Sequence, residues 1–176
     1  AEALESAWTI FVDSLGYPPP GPASRTRLWD RVVRDGLYPV EFGDVCVMLG
    51  GIVDPGDKCY GGVQAQNSFG SRSYMVLAAD LAEFRMPAFV KDADGRSLVF
   101  DYSEGWREPL RATCVHELFH AVQFNYETDV QAHGFFEASA VAMETRFVPE
   151  SHDYMQYARE LVDLASMAPF PTGVVA

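Results

Sequence analysis

Lysine is nearly missing from this chain: Lys58 and Lys91 are the only two among 176 residues. Together with Arg they make 13 positive side chains against 25 Asp and Glu, a formal net charge of −12 at pH 7, with a pI near 4.6. No basic cluster forms anywhere, which argues against nucleic acid and anionic lipid as partners, since each needs a concentrated cationic face. Long apolar runs are absent too. No window reaches the roughly 18 to 20 uninterrupted apolar residues of a transmembrane helix, so no membrane span is expected. The start, AEALESAW, has no basic segment followed by an apolar one and reads as a processed or trimmed end. Three cysteines are too few for a disulfide scaffold. Cys46 and Cys59 flank a Gly/Pro/Asp-rich turn, where they either pair in an oxidising compartment or stay as free, partly buried thiols. Cys114 falls inside an expected helix and reads as an inert buried thiol.

The composition that remains is globular. A hydrophobic share of 48 % and an aromatic share of 13 % can offset the entropy of ordering, which excludes a disordered or low-complexity chain. A mass of 19.5 kDa fits one domain, residues 1–176, around a single core.

The texture changes near residue 105. In residues 2–15, Leu4, Trp8, Phe11 and Leu15 recur at helical spacing and Gly16 can cap the helix. The prolines of YPPPGPAS make a rigid loop that excludes helix and ladder pairing. TRLWDRVVRD, residues 26–35, fits a short helix or a strand. DVCVML, residues 44–49, reads as a buried strand, and GGIVDPGDKCYGG as a turn-rich excursion. The run GGVQAQNSFG lacks the lysine and spacing of a phosphate-binding loop and reads as a solvated loop. SRSYMVLAAD, residues 71–80, is the clearest strand. AFVKDADGRSLVFDY carries two strand-prone segments around the Asp94-Gly95 hairpin signal; Asp92 and Asp94 lack the later ligands of a calcium loop. Beyond Glu108 the period becomes helical: Leu110, Cys114, Leu118 and Val122 define a helix from about Glu108 to Tyr126. A second runs from Phe135 to Phe147 and stops at Pro149, and a third, capped by Ser151, runs to about Ala168. Strands first and helices second predict an α+β architecture.

The chemistry concentrates in His116-Glu117-Leu118-Phe119-His120, an HExxH motif inside the best-defined helix. Four residues at about 100° each return to nearly the same face, so both imidazoles can bind one ion through neutral ring nitrogens. Glu117 is offset by one residue, beside the open side of such an ion, where a carboxylate can take a proton from an activated water and pass it to a leaving amine. Two histidines are half a tetrahedral site, so a third protein ligand should follow. After His120 the chain reads AVQFNY, without the Gly and His of the metzincin pattern. The next helix offers Glu137 and Glu144, two turns apart on one face. Glu137 is read as the ligand because it opens the helix and is followed by the small Ala138, Ser139 and Ala140; Glu144 is read as the acceptor for the free N–H of a ligand imidazole.

HELFHAVQF followed by FFEASAVAMET resembles the gluzincin clan of zinc metallopeptidases. Within it the chain is most similar to the bacterial MXAN_6640 family of metalloproteases, in which HEffHavQ precedes a W/F-x-E-x-x-A-x-x-x-E helix. The similarity is strong over Ala112 to Glu144 and weak over AWTIFVDSLGYPPP, SYMVLAAD and DYMQY. It implies a zincin-like fold: an N-terminal mixed twisted sheet with helices, an active-site helix, and a small helical C-terminal subdomain, divided as about 1–126 and about 127–176. It also implies an edge strand, Ser73 to Ala79, lining a cleft for an extended polypeptide. Carried over by residue, it makes His116, His120 and Glu137 the ligands of one zinc ion and Glu117 the general base. One departure stands out: thermolysin-like gluzincins place an Asp four residues past the ligand Glu, where this chain has Val141.

The expected activity is that of a zinc-dependent metalloendopeptidase acting on a polypeptide; the sequence does not fix the oligomeric state, and a monomer is favoured. For the developing alkoxide, Tyr154 is the first candidate donor, ahead of His152, Tyr157 and His133. The rivals are a zincin-fold protein that binds polypeptide without turnover, and a zinc exopeptidase or glycoprotein-directed peptidase; the lack of an acidic amine-recognition motif favours the endopeptidase. Scarce lysine, a Cys46–Cys59 bridge and a processed start favour a secreted or extracytoplasmic protein.

Overall fold

The computed structural model describes residues 1–23, 35–45, 59–65, 72–91, 94–126 and 133–151. Among these residues three α-helices, α1 (Glu2–Trp8), α2 (Arg107–Gln123) and α3 (His133–Phe147), accompany six strands: β1 (Gly21–Pro22), β2 (Val40–Gly43), β3 (Gly61–Ala65), β4 (Arg72–Ala78), β5 (Arg85–Lys91) and β6 (Ser97–Asp101). The mixed content and the order, strands before α2 and α3, agree with an α+β architecture. No helix among the described residues is long and apolar enough to cross a membrane.

β4 organises the larger sheet. β3 runs antiparallel along it, from Gly61 opposite Leu77 to Ala65 opposite Ser73. β1 and β2 both run parallel to β4, at Arg72–Ser73 and at Met75–Ala78. Ser73 and Met75 therefore have a partner on each side, and β1 and β2 must share the edge opposite β3, one after the other. Both faces of β4 are covered as well. Met75 and Leu77 enter a core with α1, α2 and α3, while Tyr74, Val76 and Ala78 enter a second core with Val45, Leu81, Phe84 and Tyr102. A strand buried on two faces needs an unbroken apolar run, which explains why YMVLA does not alternate with polar residues.

This corrects three expectations. Ser73–Ala78 is an interior strand; the strand beside the motif helix is β3, in a segment whose glycines and polar residues read as loop. Ladder pairing resumes directly after Pro18–Pro20, at Gly21 and Pro22, with the Ala23 amide bonding the Ser73 carbonyl at 2.8 Å. The first helix widens into a π-helix over Thr9–Ser14, with the Leu15 amide reaching the Ile10 carbonyl at 3.0 Å, so Leu15 turns out of the apolar stripe and is 49 % exposed. Gly16 then ends the helix at φ +73°, as its cap position requires. β5 and β6 form the hairpin that Asp94-Gly95 signals, with Gly95 at φ +77°. Cys59 is disulfide-bonded and Cys114 is a free buried thiol. Cys46, residues 26–34, most of the strand expected over 44–49, and the helix expected from Ser151 to Ala168 lie outside the described residues, apart from Ser151 itself.

α2 is buried around most of its circumference because it packs against α1, α3, β3 and β4. An aromatic cluster locks it to the N-terminal helix: Phe11 lies 5.2 Å from Phe119 and 6.1 Å from Phe147 between ring centroids, and Tyr17 lies 5.9 Å from Phe119. Each such pair contributes about 0.5–1.5 kcal/mol beyond its buried area.

Candidate metal centre

α2 carries Pro109 in its first turn, where no intrahelical N–H is required, and closes at Gln123 with a turn through Tyr126. Within the motif, Leu118 and Phe119 point into the core, at 2 % and 6 % exposure, which directs His116 and His120 the other way, towards α3. Thr113 and Glu117, one turn apart, face β3 instead: a β-carbon on Gly61 would stand 2.7 Å from the Thr113 Cγ2 and 2.8 Å from the Glu117 Cγ. On α3, Ala140 is fully buried between Glu137 and Glu144, so it is the small residue that lets the two helices close up; Ala138 is exposed.

His116, His120 and Glu137 come together into a cluster that could hold a metal ion, each offering one ligand atom. The two Nε2 atoms are 2.8 Å apart, and the Glu137 carboxylate spans them, with Oε2 3.2 Å from His116 and Oε1 3.3 Å from His120. A tetrahedral ion with bonds of about 2.0–2.1 Å has ligand-to-ligand edges of roughly 3.3 Å, which both histidine–glutamate separations match. The nitrogen pair is tighter than such an edge.

The outer nitrogens decide the chemistry of the inner ones. His116 Nδ1 donates to Glu144, and His120 Nδ1 donates to the Gln123 Oε1 at 2.7 Å. The Gln123 amide can point only that way, because its Nε2 donates to the Phe136 carbonyl at 3.3 Å and to the Ser139 hydroxyl at 2.7 Å. A neutral imidazole carries one N–H, and with it on Nδ1 each Nε2 turns a lone pair towards the carboxylate. Two lone pairs and a carboxylate converging in this way call for a positive charge between them, which a proton or a metal ion can supply. A mixed nitrogen and oxygen donor set suits a transition-metal ion rather than calcium or magnesium, which take oxygen ligands.

The electrostatics describe the same demand. Burial alone would lower the His116 pKa, but hydrogen bonds to Glu137 and Glu144 and the Glu117 and Glu144 charges outweigh it and raise it to about 10. Burial would raise Glu137, yet hydrogen bonds and charge from His116 and His120 hold it well below the usual carboxylate range. Glu117 goes the other way. It is 7 % exposed, and burial raises its carboxyl above the ordinary value against the pull of both histidines, with Glu137 and Glu144 adding to the rise.

The structure thus gathers His116, Glu117, His120, Glu137 and Glu144 in one place. Tyr154, His152 and Tyr157 lie outside the described residues, and His133 is described only as the start of α3. Sequence reasoning missed Gln123, although its spacing of three from His120 and seven from His116 puts it on the histidine face. It also missed Gly61, signalled only by a glycine pair, and Tyr38, whose hydroxyl hydrogen-bonds Ser73 at 2.8 Å within electrostatic reach of Glu117. Comparison with protein-family models, curated proteins and solved structures found no match.

Proposed function

We propose that this protein is a zinc-dependent metalloendopeptidase in which His116, His120 and Glu137 hold one zinc ion and Glu117 is the general base. The observation that carries the reading is the convergence of two imidazole Nε2 atoms and a carboxylate, both outer nitrogens already committed, beside a buried carboxyl that nothing in this donor set needs as a ligand. Zinc, when bound, supplies a Lewis acid that polarises a carbonyl and acidifies a water. His116, His120 and Glu137 would supply three protein ligands, the number that hydrolytic zinc sites use. Glu117, with a carboxyl whose proton affinity is raised by burial, takes a proton from the attacking water and delivers it to the leaving amine nitrogen. Water adds across one C–N bond, giving a carboxylate and an amine. The Cys59 disulfide supports a secreted or extracytoplasmic setting, where such bonds persist.

The test is digestion of an unstructured protein, with zinc measured in the same preparation and fragments sequenced at both ends. About one zinc per chain, internal cleavage, and loss of cleavage on chelation are expected. Trimming from one end would make the protein an exopeptidase, and stoichiometric zinc without any cleavage would leave a polypeptide-binding protein.

A further inference from the structure

We infer that Gln123 is a positioning residue that fixes the tautomer of His120 and ties it to the helix carrying Glu137; the inference rests on the proposed metal centre. Gln123 sits on α2 one turn beyond His120, buried at 7 % exposure. Its amide is used at both ends. Oε1 accepts the His120 Nδ1–H at 2.7 Å, while Nε2 donates at 2.7 Å to the Ser139 hydroxyl and at 3.3 Å to the Phe136 carbonyl, the residues flanking Glu137 on α3. Ser139 is free to accept because its own proton goes to the Phe135 carbonyl at 2.7 Å. Every bond in this chain has one permitted direction.

Two consequences follow. Free imidazole favours a hydrogen on Nε2, the wrong nitrogen for a ligand that must bind through Nε2. An acceptor held against Nδ1 reverses that preference before any ion arrives. The second consequence concerns geometry. The same side chain that orients the His120 ring reads the backbone one residue from Glu137, so the position of the third ligand and the orientation of the second are set by one amide. Glu144 does not do this for His116: it belongs to α3 and reaches across to α2 with a carboxylate. The two ligand histidines are thus held by opposite devices, one a carboxylate from the facing helix, the other a neutral amide on their own helix that reaches out to the facing one.

The experiment compares the native protein, Gln123→Leu and Gln123→Glu, each prepared free of metal with 15N-labelled histidine and followed over a pH series. Long-range 1H–15N spectra report which ring nitrogen carries the hydrogen. The native protein and Gln123→Glu, which keeps the acceptor, should show His120 protonated on Nδ1. Gln123→Leu should show it on Nε2 or averaged. Zinc competition against a chromophoric chelator should then find Gln123→Leu weaker by about 10- to 100-fold, with Gln123→Glu much closer to native. Gln123→Glu loses the donors to Phe136 and Ser139, so its metal-free form should melt lower although its tautomer is unchanged, which separates helix tethering from tautomer control. The same His120 tautomer in native and Gln123→Leu overturns the inference, as does a Gln123→Glu protein with the hydrogen on Nε2. A native protein that binds no zinc would overturn the metal-centre reading instead, and the tautomer comparison would still decide the role of Gln123. If Gln123→Leu does not fold, the native and Gln123→Glu spectra decide it alone.

Discussion

Gly61 lies so close over Glu117 that a β-carbon built on it would stand 2.8 Å from the Glu117 Cγ and 3.2 Å from its Oε1. The same β-carbon would meet the Thr113 Cγ2 at 2.7 Å. Real β-carbons do not tolerate the two separations below 3.0 Å, so any larger residue at position 61 must push β3 away from α2 or shift the Thr113 and Glu117 side chains. Gly61→Ala is therefore expected to cost about 1–3 kcal/mol of stability by overpacking. It should also lower turnover more than zinc affinity, because the displaced group is the proposed base and not a ligand. Thr113→Ser removes the nearer methyl, so the double variant Gly61→Ala/Thr113→Ser should recover part of the loss in urea denaturation. Additive losses in the double variant would show that the crowding lies elsewhere.

Glu117→Gln tests the proton carrier itself. The amide has nearly the shape of the carboxyl and enters a site that burial already makes unfavourable for a charge, so the fold and the zinc content should persist. Peptide cleavage should fall by about 10²- to 10⁴-fold, the usual contribution of a positioned acid or base. Zinc content by elemental analysis and kcat on an unstructured substrate measure both halves, and full activity in this variant would sink the mechanism.

How far the sequence alone reaches can be judged from these two residues. Glu117, like His116, His120, Glu137 and Glu144, was legible because helical spacing dictates which side chains share a face, and α2 and α3 are long enough to display it. Gly61 was not. Its importance comes from β3 packing against α2, a long-range contact that leaves no periodic mark, and a Gly-rich polar run carries the signature of a loop. The interior place of Ser73–Ala78 was hidden for a similar reason: an apolar strand looks the same whether it ends a sheet or centres it, and only the pairing of Ser73 with both Pro22 and Ala65 settles the matter. Leu15 shows a third kind of loss, since a single π-helical turn rotates every later side chain off the expected stripe.

The pH dependence of the metal-free protein follows from His116. Its ordinary value is 6.5 and the folded state raises it to about 10, so the folded protein holds this proton more tightly than the unfolded chain does. A raised histidine stabilises the fold fully below its unfolded value, and that contribution fades as pH climbs through the folded one. The melting temperature of metal-free protein should accordingly fall between about pH 6.5 and 10. Zinc held in the proposed centre would replace the proton as the positive charge, so the stabilisation it confers should grow across the same window. Calorimetry with and without zinc at several pH values checks this, and a melting temperature of the metal-free form that rises over that range would contradict it.

The proposed centre also contains its own control for the importance of a carboxylate behind a candidate ligand histidine. His116 is backed by Glu144 and His120 by the neutral amide of Gln123, yet both rings turn the same Nε2 towards Glu137. What the outer nitrogen needs, on this comparison, is an acceptor first and a charge second. Glu144→Gln keeps an acceptor within reach of His116 Nδ1 and should weaken zinc binding only several-fold, through loss of the negative charge. Glu144→Ala removes the acceptor altogether, frees the His116 hydrogen to move to Nε2, and should weaken binding by about 10- to 100-fold. Chelator competition on the two variants orders them directly. Equal losses in both would mean that the charge of Glu144, and not its hydrogen bond, prepares His116 for the metal.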